Sequence, residues 1–473
     1  MKDASVSAPA AAARPLMPES PAGWLSAAVF LISAASATVG ILGDVVEATY
    51  AAAGLMWLYL ALEAPRIPAT QRLIALALML VGGGLAWYGG RPGQAFLDAS
   101  DGALLFLVLF GAVTFIQYPA LRSPSMHHAR QMILQQPPGR RYLAVSAAAH
   151  CLGALVNFAA MTLLATFLHQ ALETDVRRRM GAAMCRGFAI AATWSPFFVS
   201  MAVILSVMPD LNWSDIALPG FPLGLLVLAY GWLFDRATRG RRAKPRANAQ
   251  AAEAVRPAAF GRLAVLAVML VALVLAVAEG GSMPMPLAIF LVVPGFSLAW
   301  LLVLRKYEAA GDGSVPGFTE HIRAGLPGLR GEVLLFLAAN VLGQGIASAV
   351  DPGTVEGAMQ AAGLTGPAAI FALLIGMLAC AAMAIHPLVL IVVLAHVLDP
   401  QRLGLTQQSL ALIMACFWGL GAVLSPASGL TLFMARTLGE PQWRVAWVRN
   451  GAYSALGALV CGAYVSIFNA FFA

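Results

Sequence analysis

Long apolar runs separated by short polar connections dominate this chain. Eleven runs approach the length that an α-helix needs to cross a bilayer. They lie at about 24–42, 49–63, 72–89, 102–118, 185–207, 217–234, 261–278, 285–304, 331–349, 407–435 and 447–470. Two further apolar stretches, 142–168 and 366–398, remain unassigned. The pattern predicts an all-α polytopic membrane protein with about 11 transmembrane helices.

The basic residues between the apolar runs predict the orientation of the chain. The strongest basic connection begins at Arg236, and the positive-inside rule places it in the cytoplasm. Counting crossings from there puts both ends of 142–168 in the cytoplasm and both ends of 366–398 outside. We therefore predict two re-entrant hairpins that turn near Asn157 and His386. The alternatives are one long tilted helix for the first stretch and two ordinary helices for the second.

With these hairpins, the chain divides into two similar halves of five crossings, each with a hairpin between its third and fourth crossing. Because five is odd, the second half must be inserted upside down, which predicts an inverted-topology repeat. Asn157 precedes Ser195 by 38 residues, and His386 precedes Ser425 by 39. The expected organisation is a disordered cytoplasmic tail (1–22), an extra N-terminal helix (23–44), a first repeat (45–235), a basic cytoplasmic linker (236–260) and a second repeat (261–473).

A Ser-Pro pair interrupts one apolar run in each half. Pro196 and Pro426 lack a backbone N–H, so each predicts an interrupted helix near mid-membrane. Interrupted helices offer free carbonyls to a cation, and free N–H groups with a positive dipole end to an anion. The alternative is a pair of proline kinks without a ligand. The candidate substrate- and ion-binding residues are Asn157, Thr193, Trp194, Ser195, Pro196, His386, Ser425, Pro426, Ser428 and Gly429.

Composition narrows the class of function. Hydrophobic residues make up 60% of the chain and charged residues 11%, and the formal net charge of +7 comes from Lys and Arg that fall mainly in the connections. This distribution indicates contact with a lipid bilayer and no nucleic-acid partner. The five cysteines have no metal-ligand spacing, and neither an Asp-rich motif nor a P-loop occurs. We therefore expect a transporter and no enzyme activity.

The predicted architecture resembles the ion transporter superfamily, in particular the divalent anion/sodium symporters. The resemblance lies in the helix order from about residue 24 onward, and the Ser-Asn-Thr signature of that family is not retained. Asn157 in "LVNFAAMT" matches its Asn, whereas "AIHPLVL" around His386 contains neither Ser nor Asn. The resemblance implies secondary transport of a small anion, with di- and tricarboxylates as the family's substrates. We also expect a homodimer in the cell inner membrane, with multiple passes.

The coupling ion has two candidates. His386 is the only titratable side chain at a predicted hairpin tip and could carry a proton. Carbonyls freed around Asn157, Ser195 and Ser425 could instead hold Na⁺, which is the only cofactor that we consider. The alternative functions are the membrane subunit of a binding-protein-dependent transporter and a membrane-embedded enzyme acting on lipid-linked substrates.

Overall fold

The computed structural model describes residues 22–123, 138–165, 168, 174–238, 258–305, 317–351 and 353–472. These residues form helices and connecting turns, and none of them lies in a β-strand. The predicted tail at 1–22 falls outside the described residues except for Ala22. Residues 239–257 of the predicted basic linker fall outside them as well.

The described residues form nineteen α-helices, numbered here in chain order. The first nine are α1 (Ala22–Gly43), α2 (Val46–Glu63), α3 (Ala69–Tyr88), α4 (Pro92–Arg122), α5 (Pro138–Val156), α6 (Ala159–Ala165), α7 (Thr174–Ile190), α8 (Val199–Val207) and α9 (Trp213–Thr238). The others are α10 (Ala258–Gly280), α11 (Met285–Arg305), α12 (Phe318–Gly328), α13 (Arg330–Ala349), α14 (Thr354–Ala361), α15 (Gly366–Ala382), α16 (Pro387–Val397), α17 (Gln407–Leu424), α18 (Gly429–Leu438) and α19 (Asn450–Phe472).

Many of these helices are long and apolar enough to cross a membrane. Among the described residues, eight such spans occur, or nine if the bent pair α14 and α15 counts as one span. Every apolar run that the sequence assigned to a crossing coincides with a helix, and the runs at 185–207 and 407–435 each contain two helices joined by a break. The chain is therefore an all-α polytopic membrane protein. The count of eleven crossings stays a prediction.

Both predicted hairpins contain a turn where the sequence placed it. Asn157, between α5 and α6, has a φ of +51°, and Ala384, between α15 and α16, has a φ of +68°. A single residue in this left-handed region ends one helix and redirects the chain into the next. Residues 166, 167 and 169–173, which would complete the exit of the first hairpin, lie outside the described residues. Re-entry into the membrane stays a prediction for both hairpins.

The packing of the two halves follows a reciprocal pattern. Helix α3 of the first half packs on α13 of the second, and α11 of the second packs on α4 of the first. Glycine permits the first of these contacts, because a Cβ on Gly345 would collide with the backbone of Gly82. Each hairpin also packs on the helix that follows it, α5 on α7 and α15 on α17. An inverted two-fold repeat predicts this exchange of partners.

Two shorter helices were not predicted from the sequence. Helix α12 buries Ile322 and Leu326. Its 11 residues include Glu320, His321 and Arg323, so it is too short and too polar to cross a bilayer by itself. Helix α14 meets α15 at a bend of 110°. Both helices lie in connections between the long apolar runs.

Candidate functional site

Two helical segments are interrupted inside the fold. The first break comprises residues 194–198, between a 3₁₀ turn that ends at Thr193 and helix α8. The second break comprises residues 425–428, between α17 and α18. Each break contains the proline that the sequence singled out, Pro196 or Pro426. The interruptions are therefore present where the missing N–H groups predicted them.

Serine side chains satisfy the carbonyl groups that the prolines leave without a partner. In a continuous helix, the N–H of residue 196 would donate to the carbonyl of Ala192 four residues earlier. Here Ser200 Oγ donates to that carbonyl over 3.1 Å. The carbonyl of Ala422 stands in the same relation to Pro426, and it accepts from Ser428 Oγ over 2.5 Å. Hydroxyl groups from the far side of each break thus stabilise its open form.

The first break is joined to the first hairpin tip by side-chain hydrogen bonds. Ser195 Oγ donates to the carbonyl of Ala154 over 2.6 Å and accepts from the N–H of Phe197 over 3.2 Å. Asn157 Nδ2 donates to the carbonyl of Phe197 over 3.3 Å. Ser195 and the amide nitrogen of Asn157 therefore hold the hairpin against the break.

Thr193 and Trp194 have internal partners beside the same break. Thr193 Oγ1 donates to the carbonyl of Ile190 over 2.9 Å. Trp194 Nε1 donates to His150 Nε2 over 2.9 Å, and His150 Nδ1 lies 3.2 Å from the carbonyl of Gly187. This geometry requires a neutral imidazole with its proton on Nδ1. Thr193 and Trp194 thus brace the break within the protein interior.

The second break differs because one of its hydroxyl groups is free. Ser428 caps α18 by accepting from the N–H of Thr431 over 3.1 Å. Ser425 is fully buried, and its Oγ has no hydrogen-bond partner within the described residues. Leaving such a group unpaired costs about 1–3 kcal/mol, which is the energy that a polar ligand could recover.

The start of α18 supplies further unengaged groups beside Ser425. The N–H groups of Gly429 and Leu430 make no hydrogen bond within the described part of the chain. Apart from the neighbouring residues of its own helix, no described atom lies within 4 Å of the position that a Cβ on Gly429 would occupy. Both N–H groups stand at the positive end of the helix dipole, and Gly429 is exposed whereas Leu430 is buried.

An open cavity begins at Pro426, in the second break. Its volume is about 510 Å³, and it extends from Pro426 along α18 to the turn at 439–443. Its polar lining residues are Arg436, Glu440 and Gln442. Arg436 makes no ion pair within the described residues. Pro426 is the residue of the second break that lines this cavity.

His386 lies at the start of the second arm of the second hairpin. Its Nδ1 accepts from the N–H of Leu388 over 3.2 Å and so caps α16. Its ring meets the ring of Trp418 edge-on, with centroids 6.4 Å apart. No hydrogen bond joins it to either break among the described residues. The structure thus brings Asn157 and Ser195 together, and it leaves His386 in a separate environment.

A cluster of charged residues that the sequence analysis missed joins the surface ends of the interrupted helices. We call it the Glu440 clasp, and its members are Arg178, Glu440 and Arg449. Glu440 accepts from Arg178 Nε over 2.6 Å and from Arg449 Nε over 2.9 Å. Burial alone would raise the pKa of the Glu440 carboxyl, but the two arginines outweigh this effect and hold the pKa below its usual range. The clasp ties α7, which leads to the first break, to the turn after α18.

Arg186, on α7, is a second residue that the sequence analysis missed. It is buried, and its guanidinium donates to Asn450 Oδ1 over 2.9 Å and to the hydroxyl of Tyr142 over 3.2 Å. Its Cζ lies 4.4 Å from the ring centre of Tyr453, and it has no carboxylate partner within the described residues. An ionisable residue inside an apolar run indicates a functional role, and Arg186 in "MCRGFAI" is such a residue.

These observations define a polytopic helical membrane protein with two interrupted helices, each of which packs against a hairpin. Comparison with solved structures finds the same class of fold. The YdaH transporter of Alcanivorax borkumensis matches with a TM-score of 0.52 at 15% identity, over 77% of this chain and 85% of that one. MtrF of Neisseria gonorrhoeae, described as illuminating a class of antimetabolite efflux pumps, matches with a TM-score of 0.55 at 11% identity, over 76% of this chain and 80% of that one. At these identities the likeness shows the fold alone.

Comparison of the sequence with known proteins does not assign this chain to a family. No protein-family model matches the chain, and no curated protein matches it. The divalent anion/sodium symporter resemblance therefore stays an expectation.

Proposed function

We propose that this protein is a secondary active transporter that moves a small anionic solute across the inner membrane, as a homodimer, coupled to sodium or protons. The observation that carries the proposal is the second break. It combines a buried hydroxyl without a partner, unengaged N–H groups at the start of α18 and an open cavity that begins at Pro426. Binding sites at interrupted helices are typical of secondary transporters.

The polarity of the second break favours an anion. The Ser425 hydroxyl and the N–H groups of Gly429 and Leu430 are all donors, and α18 directs the positive end of its dipole toward them. Arg436 adds a positive charge to the cavity that begins at this break. The first break offers fewer free donors, because Ser195 and Asn157 already bond to the main chain. We therefore propose Ser425, Ser428 and Gly429 as the core of the solute site.

Sodium is the coupling ion that we favour. The superfamily resemblance points to it, and a carbonyl-lined interruption can coordinate it without a carboxylate. His386 remains the candidate for proton coupling. Trp194, Thr193, Pro196 and Pro426 would then shape the site without contacting the solute.

Transport by the purified full chain in proteoliposomes tests the proposal. We expect a radiolabelled panel of small carboxylates and inorganic anions to contain at least one solute whose flux depends on an inward sodium gradient. Flux is measured in both directions, with sodium and pH gradients imposed separately. Failure of every anion to move under either gradient would refute the proposal.

Pro426→Ala is the matching structural test. Restoring the N–H at residue 426 lets it compete for the Ala422 carbonyl that Ser428 now occupies, so the helix can close over the break. We expect flux to fall at least tenfold while membrane insertion is retained. Pro294→Ala is the control, because Pro294 lies inside the uninterrupted helix α11. Normal flux in Pro426→Ala would remove the second break from the mechanism.

A further inference from the structure

A second polar cavity lies away from the two breaks. Its volume is about 390 Å³, and it is lined by the ends of α13 and α16, by α14 and by the chain that follows α16. It shares no lining residue with the cavity at Pro426. We call it the acidic cavity, because its charged and titratable lining residues are Asp351, Glu356, His396, Asp399 and Arg402.

Glu356 is the residue that makes this cavity unusual. Only 2% of it is exposed. Its Oε1 accepts from the backbone N–H of Asp399 over 2.6 Å, whereas its Oε2 is buried and has no partner among the described residues. A buried carboxylate oxygen without a counter-charge costs several kcal/mol. A bound cation at Oε2 would remove this cost.

The basic residue in the cavity lining does not neutralise all of the carboxylates there. Arg402 is the basic residue in the lining, and it pairs with Asp399 over 3.4 Å at a half-exposed position. Asp351 and Glu356 have no ion-pair partner within the described residues. Asp351 is exposed to solvent, so Glu356 is the buried carboxylate of the lining that lacks a cation partner.

His396 contributes no positive charge in this arrangement. Its Nδ1 lies 2.7 Å from the carbonyl of Val392, and its Nε2 lies 3.3 Å from Nε2 of Gln344. Because a carbonyl can only accept, Nδ1 carries the proton, and Nε2 then accepts from the amide of Gln344. The ring is neutral with both nitrogen atoms engaged.

We propose that the acidic cavity binds a monovalent metal cation, with Glu356 Oε2 as its anchoring ligand and Na⁺ as the probe ion. This site is separate from the solute site, and its occupancy can be measured without any transported solute.

The geometry favours a monovalent ion over a divalent one. Divalent cations in proteins require several converging ligands, and no three His, Cys, Asp or Glu side chains among the described residues converge in that way. The cavity also has room for on the order of ten water molecules, so water can complete the ion's coordination shell. One buried carboxylate oxygen with water matches the weaker demands of Na⁺.

Thermal unfolding of the purified full chain in detergent tests the site. The midpoint is followed while NaCl replaces choline chloride at constant total salt, with KCl as a parallel series. We expect a saturable rise with Na⁺ in the wild type, because a ligand that binds only the folded state stabilises it. Glu356→Gln keeps an acceptor for the Asp399 N–H but removes the charge, so we expect its apparent affinity for Na⁺ to fall at least tenfold.

Glu279→Gln is the matched control, because Glu279 is an exposed carboxylate outside the cavity. It should respond to Na⁺ as the wild type does. An unchanged Na⁺ response in Glu356→Gln, or no response in the wild type, would overturn the proposal. A wild-type midpoint that depends on pH but not on Na⁺, and that becomes independent of pH in Glu356→Gln, would overturn it too, since Glu356 would then bind only a proton.

Discussion

Ser195 and Ser425 each precede a proline in an interrupted helix, but their hydroxyl groups have different partners. Ser195 bonds to Ala154 and Phe197, whereas the hydroxyl of Ser425 is buried without a partner. A buried hydroxyl that bonds to the main chain contributes to folding, and one that lacks a partner is available to a ligand. The two serines should therefore respond differently to substitution.

We expect Ser425→Ala to weaken solute affinity by about 10-fold, corresponding to ~1.4 kcal/mol, with little change in thermal stability. Ser195→Ala should instead lower the free energy of unfolding by about 1–3 kcal/mol, since it leaves the Ala154 carbonyl without its partner. Uptake kinetics and thermal unfolding of both variants check this pair. Equal effects of the two substitutions on affinity would contradict the distinction.

His386 provides a test of the coupling ion. Its Nδ1 must be unprotonated to cap α16, so a proton at that nitrogen would remove the cap. If sodium drives transport, His386→Gln should keep the sodium dependence of uptake. His386→Asn is the companion variant, since Asn is a favoured cap. The alternative outcome is uptake in membrane vesicles that is unchanged without sodium and is lost when the pH gradient is dissipated. That result would indicate His386 as the proton carrier.

At the scale of helices, the positions of the long apolar helices could be predicted, and their hydrogen bonds could not. Apolar runs locate helices because burial in lipid or protein requires apolar side chains, and proline locates a break because it lacks an N–H. Spacing made Ser195 and Ser425 equivalent in the sequence, and only the tertiary packing distinguishes them. Ser200, which satisfies the Ala192 carbonyl, lies inside an apolar run and carried no distinguishing signal.

The Glu440 clasp shows a further limit of sequence reasoning. Arg178 and Glu440 lie 262 positions apart in the chain, so no local pattern relates them. In the sequence, Arg178 lies in a connection between apolar runs, where a basic residue indicates only the orientation of the chain. Arg186 is different, because its position inside an apolar run could have been recognised from the sequence.

The clasp should make stability depend on pH at the acidic end. The pKa of Glu440 is lowered in the folded protein, so its ionised form contributes stability above the pKa of an unfolded glutamate. This contribution is lost as the pH falls through the folded pKa. We expect Glu440→Gln to be less stable than the wild type at pH 7 and to approach it at pH 3 to 4, as measured by thermal unfolding. Glu320→Gln is the control, because the Glu320 side chain is 45% exposed in its pair with Arg323. An equal loss of stability in both variants would contradict a stabilising role of the clasp.

At the scale of the whole molecule, the distribution of basic residues and the reciprocal packing of the two halves both favour the inverted repeat. The connection that starts at Arg236 should be cytoplasmic, although residues 239–257 lie outside the described residues. In a cysteine-free background, we expect Ala247→Cys to resist an impermeant thiol reagent added to intact cells, and Glu279→Cys to react with it. Labelling of Ala247→Cys from outside would reverse the topology and remove the basis for the inverted repeat.

The difference between the two breaks also predicts how many solute molecules each chain binds. A two-fold repeat could in principle provide two equivalent binding positions in each chain. The hydroxyl of the first break is already bonded and that of the second is free, so we expect the solute to bind at the second break alone. We therefore expect each chain to bind one solute molecule. Saturation should follow a simple hyperbola with a Hill coefficient of about 1, as for a single independent site.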